Sequence, residues 1–237
     1  MINGQTIALI LPARDEELSL PRVLSAVPSV VDRIIVVDNG SSDLTSTVAR
    51  SYGAEVVSEP VPGYGRACLA GIAHLQYDPT DIVAFVDADG SDDLGQLPGI
   101  LLPIGNGEAD FVLTLRIPVN HLALTPQQRF GGWLAVTLIR LLWGYRYTDL
   151  GPMRALSWPA LKRLGMRDHD FGWTVEMQIS AVREKLRIQE HPVPYRPRIA
   201  GESKISRTVT GTFRAGMKIL WVIGRQAMRD RGRNRAA

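Results

Sequence analysis

Short apolar runs alternate with polar, helix-competent stretches throughout the first half of the chain. Thr6 to Leu11, Asp32 to Asp38, Glu55 to Ser58 and Ile82 to Val86 read as strands, each a β-prone run bounded by turn residues. Between them, Glu16 to Val27, a segment opening near Ser42-Asp43 and running to Tyr52, and Arg66 to Leu75 read as helices, with Gly53 a C-terminal stop for the second. Strands this uniformly apolar are buried on both faces. The βαβα order therefore predicts an α/β fold with a mostly parallel central sheet and helices on both faces.

Beyond Gly90 the pattern loosens. Asp110 to Thr114 reads as a further strand, Pro152 to Ala155 as a turn into another helix, Thr174 to Lys185 as a helix, and Leu186 to Tyr195 as a strand interrupted by Pro192 and Pro194. Pro126 to Trp143 reads as a long helix whose Trp133–Trp143 stretch is apolar nearly all round except Thr137 and Arg140. It is too short to span a bilayer and fits a core element, an oligomer interface or a membrane-surface element.

Candidate chemistry concentrates where the fourth strand ends. The run Ile82-Val83-Ala84-Phe85-Val86 stops at Asp87-Ala88-Asp89-Gly90, and in open α/β sheets ligands bind beyond the carboxyl ends of the strands. Two carboxylates one residue apart repel each other unless a cation shares them, and hard oxygen ligands suit Mg²⁺ or Mn²⁺. Alone, the pair equally fits a strand end that caps the next segment.

Composition narrows the partners. With 237 residues, 45% of them hydrophobic and 22% charged, the chain can form one globular domain with embellishments. A net charge of +3 is too small to argue for nucleic acid. Its one cysteine, Cys68, excludes an internal disulfide framework, and the first residues lack a signal-peptide pattern, so a cytoplasmic location is expected. His74, His121, His169 and His191 share no metal-ligand spacing. Arg225, Arg229, Arg231, Arg233 and Arg235 follow the apolar Ile219-Leu220-Trp221-Val222-Ile223, a pairing that suits either the surface of an anionic membrane or a solvated tail.

Several blocks then add up to a pattern: Pro12-Ala13-Arg14-Asp15-Glu16 after strand one, Val36 to Thr45 around Asp38 after strand two, Pro62-Gly63-Tyr64-Gly65-Arg66-Ala67, and Asp87-Ala88-Asp89. In this order they resemble the nucleotide-sugar-binding half of inverting glycosyltransferases of family 2, which have the GT-A (Rossmann-like) fold, and within that family the dolichyl-phosphate mannose and glucose synthases. The second half carries Thr148 to Ala155, Gly172-Trp173-Thr174-Val175-Glu176-Met177, and Arg198 to Ser206, which resemble the acceptor-side blocks of those synthases. Asp15 stands where the family commonly has Asn, Ala88 where Asp-x-Asp motifs often have a middle Asp, and Pro152-Met153 replaces the usual pair before Arg154.

The resemblance implies a metal-dependent transfer from a GDP- or UDP-linked sugar to a polyprenyl phosphate at the cytoplasmic membrane face, with a soluble or glycan hydroxyl acceptor as the alternative and a non-catalytic nucleotide-sugar-binding protein as a third class, which the complete set of acids and bases argues against. Pro12, Arg14, Glu16, Asp38, Gly63, Gly65, Arg66, Asp87 and Ala88 would line the donor site. There Asp38 and Glu16 can accept hydrogen bonds from base and ribose, the glycines let backbone approach the nucleotide, and Arg66 can stack on or pair with it. Asp87 and Asp89 would hold Mg²⁺ or Mn²⁺. Arg154, Arg198, Ser203 and Lys204 would meet pyrophosphate and acceptor phosphate, beside Asp149. Glu176 would orient Arg154 or Lys204 when the acceptor is a phosphate. With a hydroxyl acceptor, Glu176 or Asp149 would be the general base. These readings divide the chain into a catalytic domain, 1–210, with donor (about 1–115) and acceptor (about 116–210) halves, and an amphipathic basic segment, 211–237. They leave the protein either soluble or seated on the inner face of the membrane, with a homo-oligomer open.

Overall fold

The computed structural model describes residues 1–121, 123–198 and 209–236, with side chains of the last segment described over 216–230. Among the described residues a mixed sheet carries the strands in the order β3-β2-β1-β4-β6-β5-β7. These are β1 (Ile7–Ala13), β2 (Arg33–Asp38), β3 (Glu55–Ser58), β4 (Ile82–Phe85), β5 (Phe111–Pro118), β6 (Arg154–Ser157) and β7 (Ile188–Tyr195). Only β6 runs against its neighbours, pairing antiparallel with β4 and β5.

The strands alternate between two cores. Ile7, Leu9, Leu11, Ile82 and Ala84 pack on one face with helices α1 (Leu20–Ser25) and α4 (Leu97–Gly105). Ala8, Ile10, Val83 and Phe85 pack on the other with α3 (Tyr64–Leu75), α5 (Pro126–Trp143), α6 (Trp158–Leu164) and α7 (Trp173–Arg183). Period-two alternation within continuously apolar strands buries both faces of the sheet. Helix α2 (Thr45–Ser51) supplies Ala49 to the first core.

Two expectations change. Arg154-Ala155 does not lead a turn into a helix but starts β6, and the helix begins only at Trp158, where Ser157 caps it by accepting from the Ala160 N–H. The first helix starts at Leu20 instead of Glu16, because Asp15 adopts φ 51° and the chain turns there, with the Ser19 N–H donating to the Glu16 carbonyl. That turn keeps Glu16 at the strand ends. The long helix α5 keeps its expected bounds, and Thr125 and Gln128 close its N-terminus as a reciprocal capping box. Helix α8 (Val209–Ala236) packs along α5 and α7. Among the described residues no helix is long and apolar enough to cross a membrane.

Candidate active site

Parallel register sets the ends of β1 and β2 level, Ala13 opposite Asp38, while β4 ends earlier, Phe85 opposite Ile10, so that Asp87 and Asp89 follow beyond its end. At the end of β2, Asp38 accepts from the Ser41 N–H at 2.9 Å and from the Ser46 hydroxyl. Burial works against its charge, but those hydrogen bonds hold the carboxyl below its ordinary range. Glu16 and Ala88 are tied through Ser19, whose Oγ lies 2.6 Å from Glu16 Oε2 and 2.8 Å from the Ala88 carbonyl. Pro12 is half-buried and Arg14 is exposed.

Beyond β4 the acids crowd together. Burial, and then the charge of Asp89, push Asp87 up to about 6, against a hydrogen bond donated by the Tyr64 hydroxyl at 3.1 Å. Asp89 accepts from Ser91 N and Oγ at 2.9 and 2.6 Å. Asp92, which the sequence did not single out, is buried next to them and accepts from the Asp87 N–H at 3.4 Å. Burial and the charges of Asp87 and Asp89 raise its carboxyl well above the ordinary range. Arg198 reaches into this anionic group from beyond β7, 2.9 Å from Asp89 and 3.0 Å from Glu16. Arg198, expected beside an acceptor phosphate, is thus paired instead with two carboxylates expected at the donor and metal sites.

The glycine loop differs in its reason. A Cβ on Gly65 would stand 2.1 Å from the Asp168 carbonyl oxygen, and one on Gly63 would stand 2.3 Å from that of His169. Both glycines are therefore required by the 168–169 backbone packed on them, not by space left for a nucleotide on that side. The Arg66 N–H donates to the His169 carbonyl at 3.0 Å, and Asn39, also missed in sequence, receives the Gly63 N–H at 2.8 Å while donating to the carbonyls of Glu59 and Val61.

On the acceptor side several expected roles change. Arg154 is 1% exposed and donates to the carbonyls of Leu150, Gly151, Pro152 and Thr174. Burial lowers its pKa. It is a positive charge fixed beneath Asp87, with no face turned to an acceptor. Among the described residues Glu176 is neither hydrogen-bonded nor ion-paired to Arg154. Its Oε2 accepts from the Arg167 and Asp168 N–H groups at 2.9 and 2.6 Å, and its Oε1 meets Gln226 Nε2 at 3.2 Å and Arg225 at 3.6 Å. Asp149 is gripped by Arg116, which donates from its backbone N at 3.1 Å and from Nε and Nη2 at 2.7 Å each. Although burial opposes the charge, the guanidinium holds the Asp149 carboxyl below its usual range. The pair lines a cavity of about 220 Å³ with Leu115, Leu124, Trp133 and Val136. Ser203 and Lys204 lie outside the described residues.

Comparison with known proteins supplies the context. The model of the family described as glycosyl transferase family 2 matches residues 8–141. An uncharacterized glycosyltransferase of Mycobacterium tuberculosis is 40% identical over 210 residues, 89% of this chain and 94% of that protein. A dolichyl-phosphate hexose transferase of Haloferax volcanii is 31% identical, over 84% of this chain and 86% of its own. Among solved structures, glucosyl-3-phosphoglycerate synthase from Mycobacterium tuberculosis superposes with a TM-score of 0.70 and 25% identity in complex with phosphoglyceric acid, covering 93% of this chain and 81% of that one. In complex with Mn²⁺, UDP-glucose and phosphoglyceric acid it gives 0.71 and 24% identity, with 93% and 80% covered.

Proposed function

This chain belongs to glycosyl transferase family 2, and we propose that, as a glycosyltransferase of that family, it moves a sugar with inversion from a UDP- or GDP-linked donor to a polyprenyl phosphate at a membrane surface. The observation that carries the acceptor class is the commitment of both acceptor-side carboxylates. Asp149 is spent on Arg116 and Glu176 on the Arg167 and Asp168 amides. Neither is free to take a proton from an attacking hydroxyl. A phosphate monoester, with its second pKa near ~6, is largely a dianion at neutral pH and needs no base.

A lipid acceptor is favoured over a soluble one by the outer surface. Helices α5 and α8 pack on each other and both leave apolar side chains in solvent: Phe130, Trp133 and Leu141 on the first, Met217, Trp221 and Met228 on the second. Apolar and aromatic side chains beside basic ones suit the headgroup boundary of a bilayer. A soluble phosphorylated acceptor is the second reading, favoured by the synthase that binds phosphoglyceric acid.

Asp87 and Asp89 fit a hard divalent cation, Mg²⁺ or Mn²⁺, because their mutual repulsion is what a shared cation relieves. Among the described residues no group of three or more acidic, histidine or cysteine side chains encloses a point. One or two carboxylates completed by donor diphosphate oxygens is then the fitting arrangement. When bound, such an ion neutralises charge developing on the departing diphosphate. Around it Asp38 and Glu16 accept from the nucleoside, and Arg198, paired with Asp89 and Glu16, supplies a counter-charge. Supplying radiolabelled donor sugars, Mn²⁺ and polyprenyl phosphate in vesicles tests the reading. Label entering organic solvent and released by mild acid supports it, and label confined to a water-soluble glycoside sinks it.

A further inference from the structure

Helix α8 carries the counter-ions of two carboxylates buried in the body of the enzyme. Asp168 and Glu176 are 1% and 3% exposed, and among the described residues their ion-pair partners are Lys218, 3.1 Å from Asp168, and Arg225, 3.6 Å from Glu176. Both cations also lie against the Trp221 ring, at 4.9 and 4.6 Å from its centroid, which fixes their stems on the helix. Buried carboxylates without such partners are costly, so docking of α8 and the conformation around Asp168 depend on each other.

What those carboxylates hold is the wall of the donor loop. Glu176 receives the Arg167 and Asp168 N–H groups, and Asp168 receives the Asp170 N–H at 2.9 Å. The same backbone receives the Arg66 N–H and closes over Gly63 and Gly65. From that loop Tyr64 reaches Asp87. A second contact seals the joint: a Cβ on Gly172 would stand 2.4 Å from Val222 of α8.

We infer that Lys218 and Arg225 are positioning residues for the donor site, setting the 167–170 backbone against the Gly63–Arg66 loop, so that α8 is part of the nucleotide-binding apparatus. The inference rests on the family reading of that loop as donor-binding. Neither cation touches the donor itself. Both act through Asp168 and Glu176, and the effect belongs in nucleotide affinity.

Calorimetric titration of the full chain with UDP and with GDP in Mn²⁺ tests this. Lys218→Met and Arg225→Met should raise the Kd of whichever nucleotide the wild type binds by ~5- to 150-fold, the range typical of coupled sites, while Lys218→Arg stays close to wild type. Trp143→Phe removes the 2.8 Å hydrogen bond to Asp230 that fastens α8 elsewhere. It should lower thermal stability and leave Kd unchanged. Because removing one buried partner can prevent folding, Asp168→Asn combined with Lys218→Met removes both charges together, and its Kd should stay raised. A wild-type Kd in that double variant, or a Kd rise in Trp143→Phe equal to that in Lys218→Met, overturns the inference. Binding of neither nucleotide by the wild type overturns instead the donor-loop reading beneath it.

Discussion

Replacing Asp149 with Leu should cost stability, because Asp149 is half of a buried ion pair. The side chains of Arg116 and Asp149 are 13% and 15% exposed, two hydrogen bonds join them, and the Arg116 backbone N–H donates a third to Asp149. Removing one partner of a buried pair leaves an uncompensated charge, at about 3–5 kcal/mol. The residual exposure of both groups puts this pair at the lower end, about 3 kcal/mol. For a domain of this size each kcal/mol moves Tm by about 2–4 °C, so a drop of roughly 6–12 °C is expected. Urea and thermal unfolding followed by circular dichroism measure it. Adding Arg116→Met to Asp149→Leu should recover most of the loss, since an apolar pair of similar volume replaces the ion pair at little net cost. A Tm unchanged in Asp149→Leu, with turnover reduced ~10²- to 10⁴-fold as for a lost general base, would refute the assignment of Asp149 to structure.

Further outcomes follow from the same geometry. Asp89→Ala should abolish transfer and the metal dependence of nucleotide binding, whereas Asp38→Ala should weaken nucleotide binding with or without metal; calorimetry with and without Mn²⁺ separates them. Gly65→Ala forces the Asp168 carbonyl away from a Cβ built at 2.1 Å and should destabilise by about 1–3 kcal/mol, read by urea denaturation. The Arg33 guanidinium, with help from His74, holds the Glu55 carboxyl at about 2 against an ordinary 4.5. Its contribution to stability is therefore complete above pH 4.5 and lost as the pH falls towards 2, and a Glu55→Gln variant should show a shallower acid limb in a pH series of unfolding curves. Trp133→Ser and Trp221→Ser should each reduce co-sedimentation with anionic vesicles, and added salt should weaken binding of the wild type.

The first half was legible because its strands are continuous apolar runs stopped by polar residues, so Asp38 and Asp87 announced the strand ends. The second half was harder for physical reasons. Strand β6 has only four residues, begins with an arginine and follows Pro152, and its pairing partners rather than its own propensity make it a strand. Helix α4 was hidden by Pro98 and Pro103, the first tolerated at its N-terminus and the second inside it. Individual acids could be named, but not what holds them: Arg116 and Asp149 are 33 residues apart and meet only once β5 is in the sheet. The carbonyls that absorb Arg154, and the backbone that explains Gly63 and Gly65, are invisible to a pattern of side chains. Asp92 carried a signal in its position just after the Asp-x-Asp pair, and Tyr64 lay inside the glycine block.

Inverting transfer to a phosphate oxygen would be read from the linkage in the product. An α-linked donor sugar should give a product whose anomeric proton couples to phosphorus in ³¹P–¹H NMR and has the β configuration. An α anomer, or an anomeric carbon bonded to a hydroxyl oxygen with no phosphorus coupling, would contradict it.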